Sequence, residues 1–315
     1  MKTRNKIIAA LVLSGAAVAG TALVNRMIQL EAISNGILNK DKYQSFAYKL
    51  GNIAYKKSGT GPPLLLIHDL DCTACGSEWD RIVPELARDH TVYVPDLLGC
   101  GRSDKPNLTY TNYLYVSLLG AFAHSVIGEK PDVICSRGSI PLVIMTSRMN
   151  PDLFGKLIFV SPESTAENMR TPGRKELTYR KFLNMPVLGT SIYQIAVGRQ
   201  PIAEKIAFRD FFSPYILPES VLETRYEASH LGASPKSLYA SILCNFTRCD
   251  IRKPLQELKN QILLITGAAD PNGNRNSESL FTWNHSITCV VIGKCKRFPQ
   301  IEKPVDFLAE VRDFL

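Results

Sequence analysis

Histidine is scarce in this chain, with five in 315 residues. Chemistry that needs an imidazole therefore has few candidates: His68, His90, His124, His230 and His285. Basic residues are in excess, for a formal net charge of +8. No block of them is interleaved with aromatics, which excludes the groove of a nucleic-acid binder. Eight cysteines are present, and Cys72-Thr-Ala-Cys75 has redox or zinc spacing. No second cysteine pair and no histidine pair at ligand spacing joins it, so neither a metal nor a cofactor is expected. Disulfides between Cys72 and Cys75, or Cys244 and Cys249, are left open by spacing alone. Cys100, Cys135 and Cys289 fall in or beside expected strands, where cysteine is ordinarily a small buried hydrophobe. There is no internal repeat and no low-complexity tract.

The longest uncharged apolar run is at the N-terminus, residues 7–24, preceded by Lys2, Arg4 and Lys6. As a helix it is about 27 Å long, slightly short of a roughly 30 Å hydrocarbon core. The basic residues before it favour an N-in orientation. Residues 1–26 are expected to be a signal-anchor, with the body outside the cytoplasm and the net charge directed at an anionic membrane surface. Cleavage after Ala17-Val18-Ala19 is the alternative and would release a secreted protein. Residues 27–42, with Met27, Leu30, Ile33, Ile37 and Leu38 at helical spacing, read as an amphipathic connector near the membrane.

Beyond it, residues 43–57 read as a hairpin turned near Gly51-Asn52. Short apolar strands at 64–68, 91–94, 132–135 and 157–160 alternate with helices at 78–88 and 110–127. Such alternation specifies a mostly parallel sheet wrapped on both faces. From 161 to 260 it stops, and short helical pieces at 177–184, 190–197, 202–211, 218–230 and 234–244 read as a helical cap over the strand ends. Strands at 261–266 and 287–292 and a helix at 304–315 complete the core. The expected division is 43–160 with 261–315 for the core, and 161–260 for the cap.

The chain pivots on Pro131-Asp-Val-Ile-Cys-Ser-Arg-Gly-Ser-Ile-Pro141, read as a buried strand, a sharp turn and an apolar helix. A serine at such a turn is the layout of a nucleophile elbow, where the turn exposes Oγ and the helix N-terminus faces a developing oxyanion. Against G-x-S-x-G, Ile134-Cys-Ser136-Arg-Gly138 keeps the serine and the second glycine. Arg137-Gly-Ser139-Ile-Pro141 keeps the serine alone. Ordinary turn chemistry accounts for a Ser-Gly-Ser cluster as well.

Further landmarks fall in a fixed order: Gly59-Thr-Gly-Pro-Pro-Leu-Leu-Leu-Ile-His68, Asp96-Leu-Leu-Gly-Cys-Gly-Arg-Ser-Asp-Lys-Pro106, the elbow, Leu263-Leu-Ile-Thr-Gly-Ala-Ala-Asp270-Pro, and Phe298-Pro-Gln-Ile-Glu-Lys-Pro304. Over residues 43–315 this series resembles the α/β-hydrolase superfamily, in the cap-containing branch of haloalkane dehalogenases, epoxide hydrolases and esterases. The resemblance implies an α/β-hydrolase fold with a helical cap. It implies Ser136 as nucleophile, with Ser139 the alternative, and Asp270 as the triad carboxylate. Backbone N–H groups of Leu70 and Arg137 (or Ile140) would form the oxyanion hole, with His68 a structural neighbour. The ligand would be a small apolar molecule or an ester-like substrate under the cap.

The departure from the family is at the base. Its motif ends G-H-x-P-x-x-E-x-P, and Arg297 stands where the histidine belongs. A guanidinium is always protonated and only donates hydrogen bonds, so it takes no proton from a serine. Asp69, in place of the glycine after His68, sets an anionic side chain beside the oxyanion hole. Two readings follow: a membrane-anchored hydrolase-fold protein with a degenerate triad and weak or absent activity, or an active ester, thioester or amide hydrolase that draws a base from His230, Lys296 or elsewhere. Simpler roles compete for the landmark residues: Asp96 to Ser103 as a turn, Asp270 as a helix cap, and Glu302 and Pro304 as the start of the last helix.

Overall fold

The structure is a computed structural model describing residues 2–40, 42–216 and 220–315, with backbone only for residues 2–14 and 216. Among the described residues, eight strands form one sheet: β1 (Gln44–Tyr48), β2 (Gly51–Ser58), β3 (Pro63–Ile67), β4 (Thr91–Pro95), β5 (Asp132–Ser136), β6 (Leu157–Val160), β7 (Ile262–Gly267) and β8 (Ile287–Ile292). Their order across the sheet is β1-β2-β4-β3-β5-β6-β7-β8. The first two form the expected antiparallel hairpin, and β2 also meets β4 antiparallel. Every pairing from β4 to β8 is parallel.

Period-2 alternation builds a core on each face of this sheet. Leu65, Ile67, Val133, Cys135, Phe159 and Leu264 face helices α2 (Asn112–Phe122) and α3 (Ile140–Met149) through Leu114, Leu118, Phe122 and Val143. Leu64, Leu66, Ile134, Ile158, Val160 and Ile265 face the other way, onto Trp79, Ile82, Phe307 and Val311. Central strands buried on both faces explain the near-continuous apolar runs in the sequence. The helix expected over 78–88 is instead a 3-10 turn, Gly76–Trp79, and a short helix, Val83–Leu86. Pro84 lacks the N–H that would have joined them.

The cap comprises α4 (Arg174–Leu183), α5 (Leu188–Ala196), the Arg199–Asp210 helical stretch, α6 (Ser220–His230) and α7 (Pro235–Leu243). Pro218 and Glu219, the expected start of α6, lie outside the described residues. The core is completed by α8 (Pro271–Trp283) and α9 (Pro304–Phe314).

The N-terminal helix α1 runs Lys2–Ala32, continuous through the expected boundary at residue 26. Of the expected anchor, the side chains of residues 7–14 lie outside the described residues. Among the described residues, no helix is long and apolar enough to cross a membrane. The end of α1 and the connector dock through polar and apolar side chains alike, with Ala32 and Leu38 buried. Asn25 Nδ2 donates to Ser191 Oγ at 3.0 Å, and Gln29 Nε2 to the His230 and Gly232 carbonyls. Met27 and Leu30 are exposed. Glu227 then accepts the N–H groups of Ile37 and Leu38, which fixes the following turn against the cap.

All eight cysteines are free thiols, so neither disulfide left open by spacing forms.

Candidate functional site

Strand β5 runs one residue further than the sequence suggests, and this moves the elbow. Ser136 is still extended, at φ −117°, while Arg137 takes the left-handed conformation at φ +48°. A side chain other than glycine, asparagine or aspartate at positive φ is strained, and such strain concentrates at functional sites. The turn Arg137–Ser139 leads directly into α3. The tip of the elbow is therefore Arg137, where Ser136 was expected.

Both serines expected as nucleophiles point inward. Ser136 is fully buried, and its Oγ donates to Glu78 Oε1 at 2.5 Å. Glu78 also accepts from Gln300 Nε2 at 2.9 Å and from the Asp69 N–H at 3.0 Å. Burial pushes the Glu78 carboxyl up to about 7, and the Asp69 charge adds to the shift. Ser139, equally buried, donates to the Ser136 carbonyl at 2.7 Å and so closes the turn.

Asp69 occupies the space in front of the elbow. Its Oδ2 accepts from Arg137 Nε and its Oδ1 from the Gly138 N–H, both at 2.9 Å. With Arg137 at the tip, the N–H that follows it belongs to Gly138 (Arg137 was expected to supply it), and this donor is already engaged by a carboxylate. A Cβ on Gly138 would sit 3.1 Å from Asp69 Oδ1, so the approach favours glycine. Leu70, the other expected donor, follows Asp69 in the same loop, its carbonyl beside Gly138.

The second nitrogen of Arg137, Nη2, donates to Glu163 Oε1 at 3.0 Å, and the guanidinium lies 5.9 Å from the centre of the Phe298 ring. Burial alone would lower the Arg137 pKa, but Asp69 and Glu163 outweigh it and hold the group firmly protonated.

Asp270 and Arg297 come together at the ends of β7 and β8. Gly267 makes this approach, since a Cβ there would collide with the carbonyls of Lys296 and Cys295. Asp270 Oδ1 caps α8 by accepting the Asn272 N–H at 3.2 Å, so its simpler role is filled. Its Oδ2 lies 3.5 Å from Arg297 Nε. Arg297 Nη1 is 3.8 Å from Asp210 Oδ1, while Asp210 Oδ2 accepts from Arg225 Nη1 at 2.6 Å. Burial lowers the Arg297 pKa, and the charge of Arg137 adds to that. Asp210 ends below its usual range because Arg225 outweighs the cost of its burial.

No histidine serves the elbow among the described residues. His68 Nδ1 meets the Asp69 carbonyl at 2.7 Å and its Nε2 accepts the Leu97 N–H at 3.0 Å, which uses both nitrogens in a neutral ring. His230 is held in the cap by Gln194 Oε1 and the Tyr226 carbonyl. Lys296 Nζ donates to the Phe208 carbonyl. Asp96 plays a turn role: it accepts the Gly76 and Arg102 N–H groups, and Ser103 Oγ bonds its carbonyl. Among the described residues, no group of metal-ligating side chains could hold a metal ion.

Sequence reasoning missed Arg137 as the tip, and with it Glu78, Glu163, Asp210 and Arg225. One signal was available. Cys135-Ser-Arg137-Gly-Ser139 has small residues two before and two after the arginine, which is the steric requirement behind the outer glycines of the motif.

The strand order, the cap and the strand-to-helix elbow define a class of hydrolase-fold proteins. A model described as "Alpha/beta hydrolase family" matches residues 64–311, and the chain belongs to that family. It is similar to 2-hydroxymuconate semialdehyde hydrolase of Pseudomonas sp. (strain CF600), with 23% identity over 82% of this chain and 88% of that protein. Uncharacterized proteins of Mycobacterium bovis and Mycobacterium tuberculosis share 30% identity over 108 residues, and the match spans 31% of their length. Among solved structures, a meta-cleavage product hydrolase from Pseudomonas fluorescens IP01 aligns with a TM-score of 0.69 at 18% identity, over 86% of this chain and 96% of that one. A bacterial membrane phospholipase A aligns with a TM-score of 0.66 at 18% identity, over 100% and 98%.

Proposed function

We propose that this chain is a hydrolase-fold protein with a degenerate triad, which holds a small ligand at the strand ends without hydrolysing it. The observation that carries this reading is Arg137 at the positive-φ tip of the elbow. A guanidinium neither attacks a carbonyl nor accepts a proton. The base position, Arg297, has the same deficiency. Losing one member of a catalytic unit costs nearly as much as losing all of it, and here two positions carry arginine. The Asp69 carboxylate on the Gly138 N–H adds to this, because a site that stabilises an oxyanion must leave such a donor open to it. A serine-directed phosphonate tests the reading, with no labelling expected.

A second reading has one contact in its favour. Ser136 Oγ donates to Glu78, a carboxyl displaced toward neutrality, which pairs a hydroxyl with a base. Hydrolysis of an ester, thioester or amide by that pair needs a substrate to reach a hydroxyl that has no exposed surface. Activity that disappears in Ser136→Ala would establish this alternative.

For localisation, the proposal is an anchor over residues 7–24 with the body outside the cytoplasm. Its support is the exposure of Val18, Leu23 and Val24 on α1, before the helix reaches the cap at Asn25. The membrane phospholipase A that aligns over the whole chain is in keeping with it. An intact N-terminus in the membrane fraction is expected. A mature start near Gly20 in the medium would refute the anchor.

A further inference from the structure

Over the ends of β5, β6 and β7 lies a cavity of about 370 Å³ whose walls include four arginines, Arg137, Arg209, Arg275 and Arg297. Its three carboxylates are already engaged. Glu163 accepts from Arg137. Glu167 lies 3.6 Å from Arg248, and Asp270 caps α8. The arginines are not equally served. Arg297 Nε is buried and has no hydrogen-bond partner, and the carboxylate oxygens nearest its guanidinium, at 3.5 and 3.8 Å, are beyond good bonding geometry. Arg275, exposed at the same cavity, has no ionic or side-chain hydrogen-bonded partner among the described residues. A buried donor without an acceptor is costly, more so when it is charged. The N-terminus of α8 does not supply the attraction, because the Asp270 side chain covers it.

We infer that this cavity binds a compact oxyanion, a carboxylate or phosphate group of a small molecule, through Arg297 and Arg275. A planar guanidinium fork matches the paired oxygens of either group. The inference rests on the ligand-holding role proposed for this site and gives that small ligand an anionic group, where the sequence led to an apolar or ester-like one.

Calorimetric titration of the full chain at fixed ionic strength tests it, with inorganic phosphate in one arm and malonate in the other. Saturable binding in at least one arm is expected, and the tighter arm identifies the group. Arg297→Gln and Arg275→Gln are each expected to weaken that binding at least about tenfold, the loss of roughly one charge-assisted contact. Arg275 is on the surface, so its variant keeps the test valid if the Arg297 variant folds poorly. No saturable binding in either arm, or affinities unchanged in Arg275→Gln, would overturn the inference. Hydrolysis of an ester probe by the wild-type protein would defeat the non-hydrolytic reading and leave the binding result standing, so the two fail separately.

Discussion

Arg137 and Asp69 are hydrogen-bonded at 2.9 Å at the tip of the strand-to-helix turn that follows β5. The pair is nearly enclosed, with side-chain exposures of 10% and 9%. The two side chains satisfy one another: the carboxylate neutralises the guanidinium, and the same carboxylate takes the Gly138 N–H. Each residue explains the presence of the other.

That mutual dependence sets the first prediction. Asp69→Ala removes one partner of a buried pair and leaves a charge with Glu163 alone, so a loss of about 3–5 kcal/mol is expected in urea unfolding. Adding Arg137→Ser removes the stranded charge, and the double variant should recover at least half of the loss. Additive losses would mean that the two side chains are not energetically coupled.

Rebuilding the chemistry needs three changes. Arg297→His alone supplies a base with no nucleophile at the tip, and phosphonate labelling is expected to stay absent. Asp69→Gly, Arg137→Ser and Arg297→His together restore a tip hydroxyl, a base beside Asp270 and a free Gly138 N–H. Labelling should appear in the triple variant. Labelling of the Arg297→His single variant would place the nucleophile at Ser136 or Ser139 in place of the tip.

Glu78 gives a pH signature. Its carboxyl is displaced from an ordinary 4.5 up to about 7 by burial, with Asp69 adding to the effect. Below pH 4.5 folded and unfolded chains both hold this proton. Between 4.5 and 7 only the folded state keeps it, so this group's contribution to stability falls as pH rises, by about 1.4 kcal/mol per unit of displacement. Above 7 the penalty is constant. The unfolding free energy of wild type minus that of Glu78→Gln, measured at pH 5, 6 and 8, should therefore decline across the series. A flat difference would show that Glu78 is not held protonated.

Much of the fold was legible because central strands buried on both faces advertise themselves as short apolar runs. Residues 157–160 and 287–292 were read with the bounds that the structure has. Between 161 and 260, where that alternation lapses, the described residues form helices and turns. The elbow was read one residue early, since a strand end and the turn after it differ only in the φ of a single residue. Motif matching by serine identity preferred Ser136, while the small residues at Cys135 and Ser139 centred the turn on Arg137. Glu78 and Asp210 reach the site from distant segments, and no local pattern marks a residue for a contact made 58 positions away, as between Glu78 and Ser136. The Phe298-Pro-Gln-Ile-Glu-Lys-Pro304 series singles out Arg297, and the structure has its Nε 3.5 Å from Asp270 Oδ2.

The most direct measurement is the rate at which a fluorescent phosphonate modifies the intact wild-type protein, with Ser136→Ala and Ser139→Ala alongside. The expected result is no adduct in any of the three, because the elbow presents a guanidinium and both hydroxyls are turned into the core. Stoichiometric modification of wild type that vanishes in either serine variant would contradict it and make the protein a working hydrolase.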